Sequence, residues 1–324
     1  MKKVLVTGAA GFIASQVCEQ LLQDGVEVVG IDNLNNYYDV RLKHFRLEKL
    51  SSHKNFTFQT LDIENKQDLG ELFKKHDFEV IYNLAARAGV RYSMENPEIY
   101  YSTNTLGTLN ILELLKTAPH KKLVLASTSS LYAGQTMPFL ESLAVNEPIS
   151  PYAATKKAAE LMCYTYSYLY GIDVNVVRYF TVYGPAGRPD MSIFRFIRWI
   201  QEGKEIELFG DGLQARDFTY VDDIARGTIL AGQNLKGFNV INLGGGQQPI
   251  SLQTIIGKLE ALIGKKAKIK NFDFHKADIM ETWADITKAH EILKWSPKTS
   301  IDEGLEKTVQ SFRKYPILNE VELP

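Results

Sequence analysis

The amino-terminal segment constrains the fold more strongly than any other part of the chain. Residues 2–7 form a short apolar run rich in valine, and the glycine-rich segment GAAGFIA follows directly at residues 8–14. The run has the composition of a buried parallel strand. Gly8 and Gly11 would let the backbone turn tightly and approach a pyrophosphate, and the N–H groups of the next helix would face that anion. We expect this helix to reach about Gln23, with Gly25 ending it.

A second apolar run, from Val26 to Ile31, ends in Asp32. This carboxylate follows the glycines by about 20 residues, where it can accept hydrogen bonds from an adenosine ribose. Because a carboxylate would repel a 2′-phosphate, we expect NAD rather than NADP. The spacing is Gly-x-x-Gly-x-x-Ala, and Ala14 suits the third place because that position serves close packing of the helix on the strand. Together these features predict a dinucleotide-binding site.

The segment SPYAATK at residues 150–156 has the pattern of a helix start. Tyr152 and Lys156 are four residues apart, so they share one face of that helix. A cationic Lys156 would stabilise the phenolate and lower the pKa of Tyr152, which would let the phenol exchange a proton near neutral pH. A Tyr-x-x-x-Lys pair is also common on protein surfaces, so its meaning depends on the other motifs.

Hydroxyl side chains follow another predicted strand. Residues 121–126 have the composition of a strand, and the sequence STSSLY follows at residues 127–132. The carboxyl ends of parallel strands are where α/β sheets bind their ligands. We therefore expect these hydroxyls to line a ligand site; a polar loop with helix caps is the alternative.

Apolar runs and helical patterns alternate from residue 1 to about residue 180. This alternation predicts an α/β fold with a Rossmann-type doubly wound parallel sheet and right-handed crossovers. The predicted strands are Val4–Thr7, Glu27–Ile31, Thr57–Leu61, Val80–Leu84, Leu123–Ala126 and Asn175–Tyr179.

The alternation breaks down after Tyr179. We predict a smaller mixed α/β lobe at residues 181–219 and 244–324, and we expect residues 220–243 to return to the Rossmann domain at 1–180. The expected helices lie at about Met191–Glu202, Asp222–Gly232, Leu252–Ile263 and Asp302–Lys314. The expected strands are Ile206–Phe209, a region near Arg216–Thr219, and Phe238–Leu243.

Charge and composition exclude several classes of function. The formal net charge is −1, so nothing indicates a nucleic-acid or membrane-surface partner. No apolar run approaches the roughly 20 residues of a membrane span, and because the chain enters its first predicted strand directly we expect no signal peptide. Cys18 and Cys163 fall in predicted helices, and the six histidines show no metal-ligand spacing. We expect a cytoplasmic protein without a metal or a disulfide.

Taken together, these motifs resemble those of the extended short-chain dehydrogenase/reductase family and, within it, the nucleotide-sugar epimerases. Further runs that carry the resemblance are IDNLNNYY at 31–38, AGVRYS at 88–93, YGP at 183–185, GRPDM at 187–191 and RDFTYVDD at 216–223. They are spread over almost the whole chain. The resemblance implies a UDP-sugar as substrate and NAD as a tightly bound cofactor that is regenerated in each turnover.

The resemblance also implies roles for individual residues. Tyr152 would act as the base on the 4-hydroxyl of the sugar, with Lys156 and Thr128 as its partners. Asp62 would lie at the amino group of the adenine, and the small residues at 84–86 would leave room for the cofactor backbone. The residues implied to bind NAD are Gly8, Gly11, Phe12, Ile13, Asp32, Asn33, Asp62, Ile63, Leu84, Ala85, Ala86, Tyr152, Lys156 and Tyr179.

The two residues after Thr128 discriminate among the reactions of the family. Related 4,6-dehydratases carry Asp-Glu directly after this Thr, and related decarboxylases carry Glu two residues after it, whereas this chain has Ser129 and Ser130. Elimination and decarboxylation therefore lack their usual acid and base. The resemblance favours epimerisation at carbon 4, with UDP-glucuronate converted to UDP-galacturonate through a 4-keto intermediate. The alternatives are UDP-glucose 4-epimerisation, UDP-glucuronate decarboxylation and, least favoured, a non-catalytic NAD-binding protein.

Further contacts with the substrate follow from the same resemblance. Ser129, Ser130 and Thr181 would hold the sugar carboxylate near the ring plane by neutral hydrogen bonds, where carbon–carbon cleavage is poorly aligned. UDP-galactose 4-epimerases generally have Asn where Thr181 stands, which favours the acidic sugar. The residues implied to contact the substrate are Thr128, Ser129, Ser130, Thr181, Arg188, Arg216, Asp278 and Arg87.

The charged residues among these contacts differ in what they would hold. Arg188 and Arg216 are candidates for the diphosphate because a guanidinium fork suits phosphate oxygens. Asp278 would hold the uridine ribose, and Arg87 and Arg91 would lie near the substrate or the cofactor phosphates. Family members usually dimerise through two helices of each subunit, here about residues 97–117 and 152–170, so we also expect a homodimer.

Overall fold

Strands and helices alternate along the chain, as the apolar runs predict. The computed structural model describes residues 2–118, 120–233, 236–273 and 279–323. The strands are β1 (Lys3–Thr7), β2 (Glu27–Asp32), β3 (Phe56–Thr60), β4 (Val80–Asn83), β5 (Lys122–Thr128), β6 (Asp173–Tyr179), β7 (Thr181–Tyr183), β8 (Glu205–Phe209), β9 (Ala215–Arg216), β10 (Phe218–Tyr220), β11 (Phe238–Leu243), β12 (Ile250–Ser251), β13 (Lys268–Phe272) and β14 (Glu281–Thr282).

The helices cover both faces of the sheet and build most of the carboxyl-terminal part. They are α1 (Phe12–Gln23), α2 (Val40–Ser51), α3 (Lys66–Lys75), α4 (Val90–Glu95), α5 (Pro97–Tyr100), α6 (Gly107–Leu115), α7 (Pro151–Tyr170), α8 (Ser192–Glu202), α9 (Val221–Gln233), α10 (Leu252–Ile263), α11 (Thr287–Leu293), α12 (Ile301–Lys314) and α13 (Ile317–Glu320). A π-helical turn, Tyr101–Leu106, joins α5 to α6, and a 3₁₀ helix, Ser129–Tyr132, follows β5.

One parallel sheet of seven strands forms the centre of the molecule. Its order is β11-β6-β5-β4-β1-β2-β3, which confirms the predicted doubly wound α/β fold. The six predicted amino-terminal strands begin and end within two residues of the observed ones. Strand β11 pairs with β6, so the segment that we expected to return to the first lobe lies in this sheet. The division of the chain into two lobes stays a prediction.

The strands of this sheet are buried on both faces, which explains their nearly continuous apolar sequences. In β1, Val4 and Val6 pack among residues of α1 and α9, while Leu5 packs among residues of α3, α6 and α7. All three side chains are fully buried. Successive side chains of a strand point to opposite faces, so the two apolar clusters lie on opposite sides of the sheet.

The carboxyl-terminal part has its own apolar cluster. Helices α8, α10 and α12 pack with β8 around Ile197, Ile206, Leu259 and Phe312. Short strands form small sheets beside them, in which β8 pairs with β13 and β9 pairs with β12 and β14. The region predicted as one strand near Arg216–Thr219 forms two strands in different sheets, since β10 pairs with β7 instead.

Helix α7 begins where its sequence predicts. The Ser150 hydroxyl accepts a hydrogen bond from Ala153 N at 3.2 Å, Pro151 occupies the first turn, and Gly171 ends the helix with φ 65°. A serine cap of this kind stabilises a helix by about 1 kcal/mol. The cap fixes the first turn of α7 and so positions Tyr152. Within the described ranges, no helix combines the length and the apolar character that crossing a membrane would require.

Candidate active site

A single cleft runs along the carboxyl ends of β1, β2, β4, β5 and β6 and collects most of the predicted site residues. It is also lined by the start of α7 and by the segment after β6. Ligand sites of open α/β sheets lie at this edge. The predicted residues that line it are Gly8, Gly11, Phe12, Ile13, Asp32, Asn33, Asp62, Ile63, Leu84, Ala85, Ala86, Arg87, Thr128, Ser129, Ser130, Tyr152, Lys156, Tyr179, Thr181 and Arg188.

The glycine-rich turn connects β1 to α1 at one end of the cleft. Gly11 N donates to Gly8 O at 2.7 Å, and Gly8 has φ +69°, a conformation that favours glycine. A Cβ atom at Gly8 would lie 2.8 Å from Ala85 Cα, and one at Gly11 would lie 2.8 Å from Gly8 O. Only glycine fits both positions, and the turn leaves the start of α1 open to a pyrophosphate. These features fit the predicted NAD.

Polar side chains from the next two strand ends meet beside this turn. Asp32 Oδ1 accepts from Leu34 N at 2.8 Å, and Asn33 Nδ2 donates to Asp62 Oδ2 at 2.7 Å. Lys43 Nζ lies 3.5 Å from Asp32 Oδ1, and both side chains are buried. The sequence analysis missed Lys43, because one lysine in a charged helix carries no sign that tertiary packing will bury it.

Tyr152 lies at the other end of the cleft, in the first turn of α7. Burial raises the pKa of its phenol, while a hydrogen bond with the Thr128 side chain and the positive charge of Arg188 both lower it. The Tyr100 ring packs edge-on against it, with centroids 6.1 Å apart. Burial is the largest of these effects, so the pKa of Tyr152 lies above its usual value of 10, and Thr128 and Arg188 only partly oppose that rise.

Lys156 lies one turn further along α7 and is buried. Its Nζ donates to Ala126 O at 3.0 Å. Burial lowers the pKa of Lys156 to about 8, and the carboxylate of Glu160 opposes that shift. The predicted effect of Lys156 on the phenol stays a prediction, because Thr128 and Arg188 are the groups that lower the Tyr152 pKa here.

The hydroxyls after β5 are arranged by a local turn. Thr128 Oγ1 accepts from Ser130 N at 3.1 Å and caps the 3₁₀ helix. Register places Thr128 opposite Tyr179 of β6, and Thr181 follows two residues later on β7. Ser129, Ser130 and Thr181 therefore line the cleft on the same side as Tyr152, with no carboxylate among them.

Three of the four predicted arginines, Arg188, Arg87 and Arg216, lie in different surroundings. Arg188 lines the cleft, where its Nε and Nη2 contact Asp190 at 3.0 and 2.5 Å and its guanidinium lies 5.7 Å from the Tyr37 ring centroid. Arg87 also lines it, and its Nη1 donates to Asn35 Oδ1 at 3.3 Å. Arg216 lies outside it, on β9, where Nη1 donates to Met280 O at 3.0 Å.

The structure therefore brings Arg188 together with Tyr152 but does not bring Arg216 to the same cleft. The predicted contact of both arginines with one diphosphate stays a prediction. Asp278 lies outside the described residues. Asn35, Tyr37, Thr103 and Asp190 also line the cleft and were not predicted individually. Asn35 and Tyr37 belong to the run IDNLNNYY and Asp190 belongs to the run GRPDM, and membership of these runs was their only sign in the sequence.

The described ranges contain no group of three His, Cys, Asp or Glu side chains that could hold a metal ion. Cys18 and Cys163 are buried and unpaired. Burial raises the pKa of each thiol well above its usual range, so neither is a thiolate at neutral pH. Near Tyr152, the polar groups of the cleft thus include a phenol, an ammonium, hydroxyls and a guanidinium paired with Asp190, a set suited to reversible proton transfer.

Comparison with known sequences gives a consistent result. The profile of the NAD dependent epimerase/dehydratase family matches residues 4–244. A UDP-glucuronate 4-epimerase of Thermodesulfobacterium geofontis is 61% identical over 305 residues, which cover 94% of each chain. A probable UDP-glucuronate 4-epimerase of Rhizobium meliloti is 38% identical over 328 residues, which cover 95% of this chain and 96% of the relative.

Solved structures show the same similarity in three dimensions. The UDP-glucuronic acid 4-epimerase of Bacillus cereus, in complex with UDP-glucuronic acid and NAD, superposes with a TM-score of 0.91 at 39% identity, over 96% of this chain and 99% of that one. The UDP-glucose 4-epimerase of Thermotoga maritima, with UDP-glucose, gives 0.87 at 32% identity over the same shares. The similarity extends over both the sheet and the carboxyl-terminal part.

Proposed function

The chain belongs to the NAD dependent epimerase/dehydratase family, and from this premise we propose that it converts UDP-glucuronate to UDP-galacturonate by epimerisation at carbon 4. The observation that carries the proposal is the pairing of Tyr152 and Lys156 with hydroxyls alone after Thr128, in the cleft that the glycine turn opens onto. The Thermodesulfobacterium and Bacillus proteins, which are named for the same substrate, support it.

NAD, when bound, would take a hydride from carbon 4 of the sugar and return it to the opposite face. Tyr152 as a phenolate removes the proton of the 4-hydroxyl, and Thr128 shares that proton through its hydrogen bond with the phenol. The 4-keto sugar turns over in the cleft before the proton and hydride return. Since the cofactor is regenerated in each turnover, tight retention costs the enzyme nothing.

The cofactor-binding residues divide by the part of NAD that they would hold. Gly8, Gly11 and the start of α1 would hold the pyrophosphate, and Asp32 would accept from the adenosine ribose. Asp62 would lie at the adenine. Small side chains after β4 would leave space for the cofactor backbone, and Lys156 would also contact the cofactor.

The residues on the sugar-binding side of the cleft explain why the sugar would keep its carboxylate during the reaction. A 4-keto uronic acid is a β-keto acid, so it could lose carbon dioxide at this stage. Ser129, Ser130 and Thr181 line the cleft near Tyr152 and can donate hydrogen bonds that hold the carboxylate near the ring plane. Serines occupy the two positions after Thr128, so the carboxyl groups that support elimination in related dehydratases are missing there. Arg188 and Arg216 would serve the diphosphate.

One experiment tests the proposal directly. The purified protein is incubated with UDP-glucuronate, and separately with UDP-glucose, without added NAD, and the products are identified by NMR. We expect UDP-galacturonate without pentose. UDP-xylose or a UDP-4-keto-pentose would indicate decarboxylation, UDP-galactose alone would change the substrate, and absence of any product would contradict the enzymatic proposal.

We also propose that the protein is a homodimer. Large apolar side chains are exposed along one face of α7 and on the neighbouring π-helical turn: Leu161, Tyr164, Tyr168, Tyr101 and Leu106. Leu161, Tyr164 and Tyr168 are spaced at i, i+3 and i+7, so they share a helix face. An exposed apolar patch of this kind marks a protein interface. A cytoplasmic location, consistent with the unpaired cysteines, completes the proposal.

The dimer is tested by multi-angle light scattering. The variant L161D should be monomeric, because each copy would bring a carboxylate into the apolar contact. L213D is a matched control, since Leu213 is equally exposed, at 55% each, but lies outside α7. A monomeric wild-type protein, or dimers in both variants, would contradict the proposed interface.

A further inference from the structure

A buried ion pair lies beneath the start of α7. Glu160 and Arg178 retain 4% and 3% of their side-chain exposure, respectively. Arg178 Nε donates to Glu160 Oε1 at 2.9 Å and Nη2 donates to Oε2 at 2.7 Å, a two-pronged contact. Burying two charges is expensive, and an apolar pair of similar volume often stabilises a fold better. The mechanism proposed above does not use this pair, so its position needs a reason.

Glu160 connects the ion pair to the strand that carries Thr128. Its Oε1 also accepts from Ser127 Oγ at 2.6 Å, and Ser127 directly precedes Thr128 at the end of β5. Lys156, one helical turn before Glu160, donates to Ala126 O on the same strand. Two side chains of one face of α7 thus hold two consecutive residues of β5, Ala126 and Ser127.

Arg178 anchors the other side of Glu160. Its Nη1 donates to Tyr132 OH at 2.8 Å, and Tyr132 OH donates to Asn242 Oδ1 at 2.8 Å. The guanidinium also lies 4.9 Å from the Tyr132 ring centroid. Since every one of these groups is buried, the carboxylate of Glu160 has a fixed position relative to Lys156.

Glu160 is the acidic member of the ionisable groups around Lys156. The π-helical turn presents the uncharged Asn104 to this region, where it contacts Thr155. The negative charge of Glu160 favours the ammonium form of Lys156 and opposes the effect of burial. The ionisable side chains on the surrounding elements are Tyr152, Lys157, Glu160 and Cys163 on α7, Arg178 and Tyr179 on β6, Tyr132 in the 3₁₀ helix and Tyr100 on α5.

We propose that Glu160 is a positioning residue for the epimerase reaction, which keeps Lys156 as an ammonium ion and holds the Ser127–Thr128 end of β5 against Tyr152. Arg178 fixes the orientation of the Glu160 carboxylate through its two-pronged contact. The inference rests on the proposed function, because the role of Lys156 beside the phenol belongs to it. A merely structural ion pair would stabilise the fold without altering the titration of Lys156.

The central test is the double variant E160Q/R178Q, which removes both charges and keeps hydrogen-bonding groups of similar size. We expect kcat to fall about tenfold, with KM unchanged within about twofold and NAD retained. The alkaline limb of the kcat–pH profile should move about one pH unit lower, because the ammonium of Lys156 loses its nearby negative charge. E160D keeps that charge and should keep the limb in the wild-type position.

A separate variant tests the geometric part. S127A removes the hydrogen bond to Glu160 but leaves the ion pair, so kcat should fall a few-fold while the alkaline limb stays unmoved. Unchanged kcat in S127A would overturn the positioning of β5 by Glu160.

A second readout does not depend on activity. The pKa of Lys156 is about 8 in the folded protein and 10.5 in the unfolded chain, so the unfolded chain binds more protons at pH values between these two. The contribution of Lys156 to stability therefore grows as pH rises through this window. For the wild-type protein and for E160Q/R178Q, the melting temperature is measured against pH with and without the added substitution K156M. The pH at which the contribution of Lys156 begins to grow should be about one unit lower in E160Q/R178Q than in the wild type.

These outcomes separate the inference from the proposed function. A wild-type protein that converts no UDP-sugar would contradict the function, while the melting comparison would still test the effect of Glu160 on Lys156. A folded, NAD-loaded double variant in which the alkaline limb and the melting onset both stay in place would overturn the inference. A double variant that fails to fold would assign the pair to folding and overturn it as well.

Discussion

The two ends of the cleft are built in different ways. At the cofactor end, the glycine turn, Asp32 and Asp62 follow three successive strands, and Asn33 links two of them at 2.7 Å. At the sugar end, Tyr152 lies on α7, whereas Thr181 lies on β7 and Arg188 lies after it, and the fold brings these separate elements together. The cofactor end is thus recognisable from local sequence order, whereas the sugar end depends on how distant elements pack.

The same contrast applies to electrostatics. Asp32 has Lys43 as its partner 3.5 Å away at the cofactor end. At the sugar end, the positive charge of Arg188 lowers the pKa of Tyr152, and the negative charge of Glu160 raises the pKa of Lys156. Chemistry is therefore concentrated at one end and recognition at the other, and variants should separate the two.

The largest effect should come from Y152F at the sugar end. Removing one hydroxyl abolishes the proton transfer, so we expect kcat to fall about 10³-fold while bound NAD is retained. Turnover is measured by NMR and bound NAD by absorbance after denaturation. Y170F, at an exposed position in the last turn of the same helix, should behave as wild type. Unchanged turnover in Y152F would refute the role of this phenol.

Asp217, next to Arg216, should give the carboxyl-terminal part a pH-dependent stability. Burial raises the pKa of Asp217 from 3.8 to about 6, although Ala284 N and Gly246 N donate to it. The folded protein therefore holds this proton more tightly. Its contribution to stability is fully present below about pH 4 and is lost as pH rises through 6.

A shift of this size corresponds to about 3 kcal/mol. Compared with D217N, the wild-type protein should lose about that much free energy of unfolding between pH 4 and pH 7, measured by denaturant titration. Parallel pH dependences of the two proteins would show that Asp217 does not carry the effect.

Asp32 tests the cofactor end alone. D32A should weaken NAD binding by at least about tenfold, because the ribose loses its acceptor. Lys43 would remain without its carboxylate, so the preference for NAD over NADP should fall as well. Fluorescence titration of the apoprotein measures both affinities. The double variant D32A/K43M should lose NAD affinity without gaining any for NADP, and equal NADP binding in both variants would exclude Lys43.

The smallest effect should come from the hydroxyls at the sugar end. In S129A/S130A we expect KM for UDP-glucuronate to rise about tenfold, because neutral hydrogen bonds to the carboxylate are lost. A few per cent of the product should appear as a UDP-pentose, since the β-keto acid is no longer held in the ring plane. NMR of the product mixture measures both. Unaltered KM without pentose would place the carboxylate elsewhere.

Much of the fold follows from local sequence. Apolar runs bounded by turn residues gave the strands of the central sheet within two residues, because a strand buried on both faces tolerates few polar side chains. The caps Ser150 and Gly171 delimit α7 for equally local reasons. The short strands near Arg216 were harder to predict from the sequence, because they form by pairing with strands that are distant along the chain.

The site shows the same limit. Tyr152, Thr128 and the glycines could be predicted because their chemistry depends on spacing along one element. Lys43 and the Glu160–Arg178 pair could not, since a charged residue on a helix or strand gives no local sign that it will be buried. Arg216 was grouped with Arg188 by type, and the fold places them apart.

Hydrophobic period, backbone freedom at glycine and helical spacing are local properties, so the α/β sheet, the dinucleotide motif and the Tyr-x-x-x-Lys pair could be predicted from the chain alone. Which charges act on the phenol and which ammonium is buried became evident from the folded molecule. Electrostatic effects on a pKa act through space over a few ångströms, and packing is what brings Arg188 to Tyr152 and buries Lys156 with Glu160.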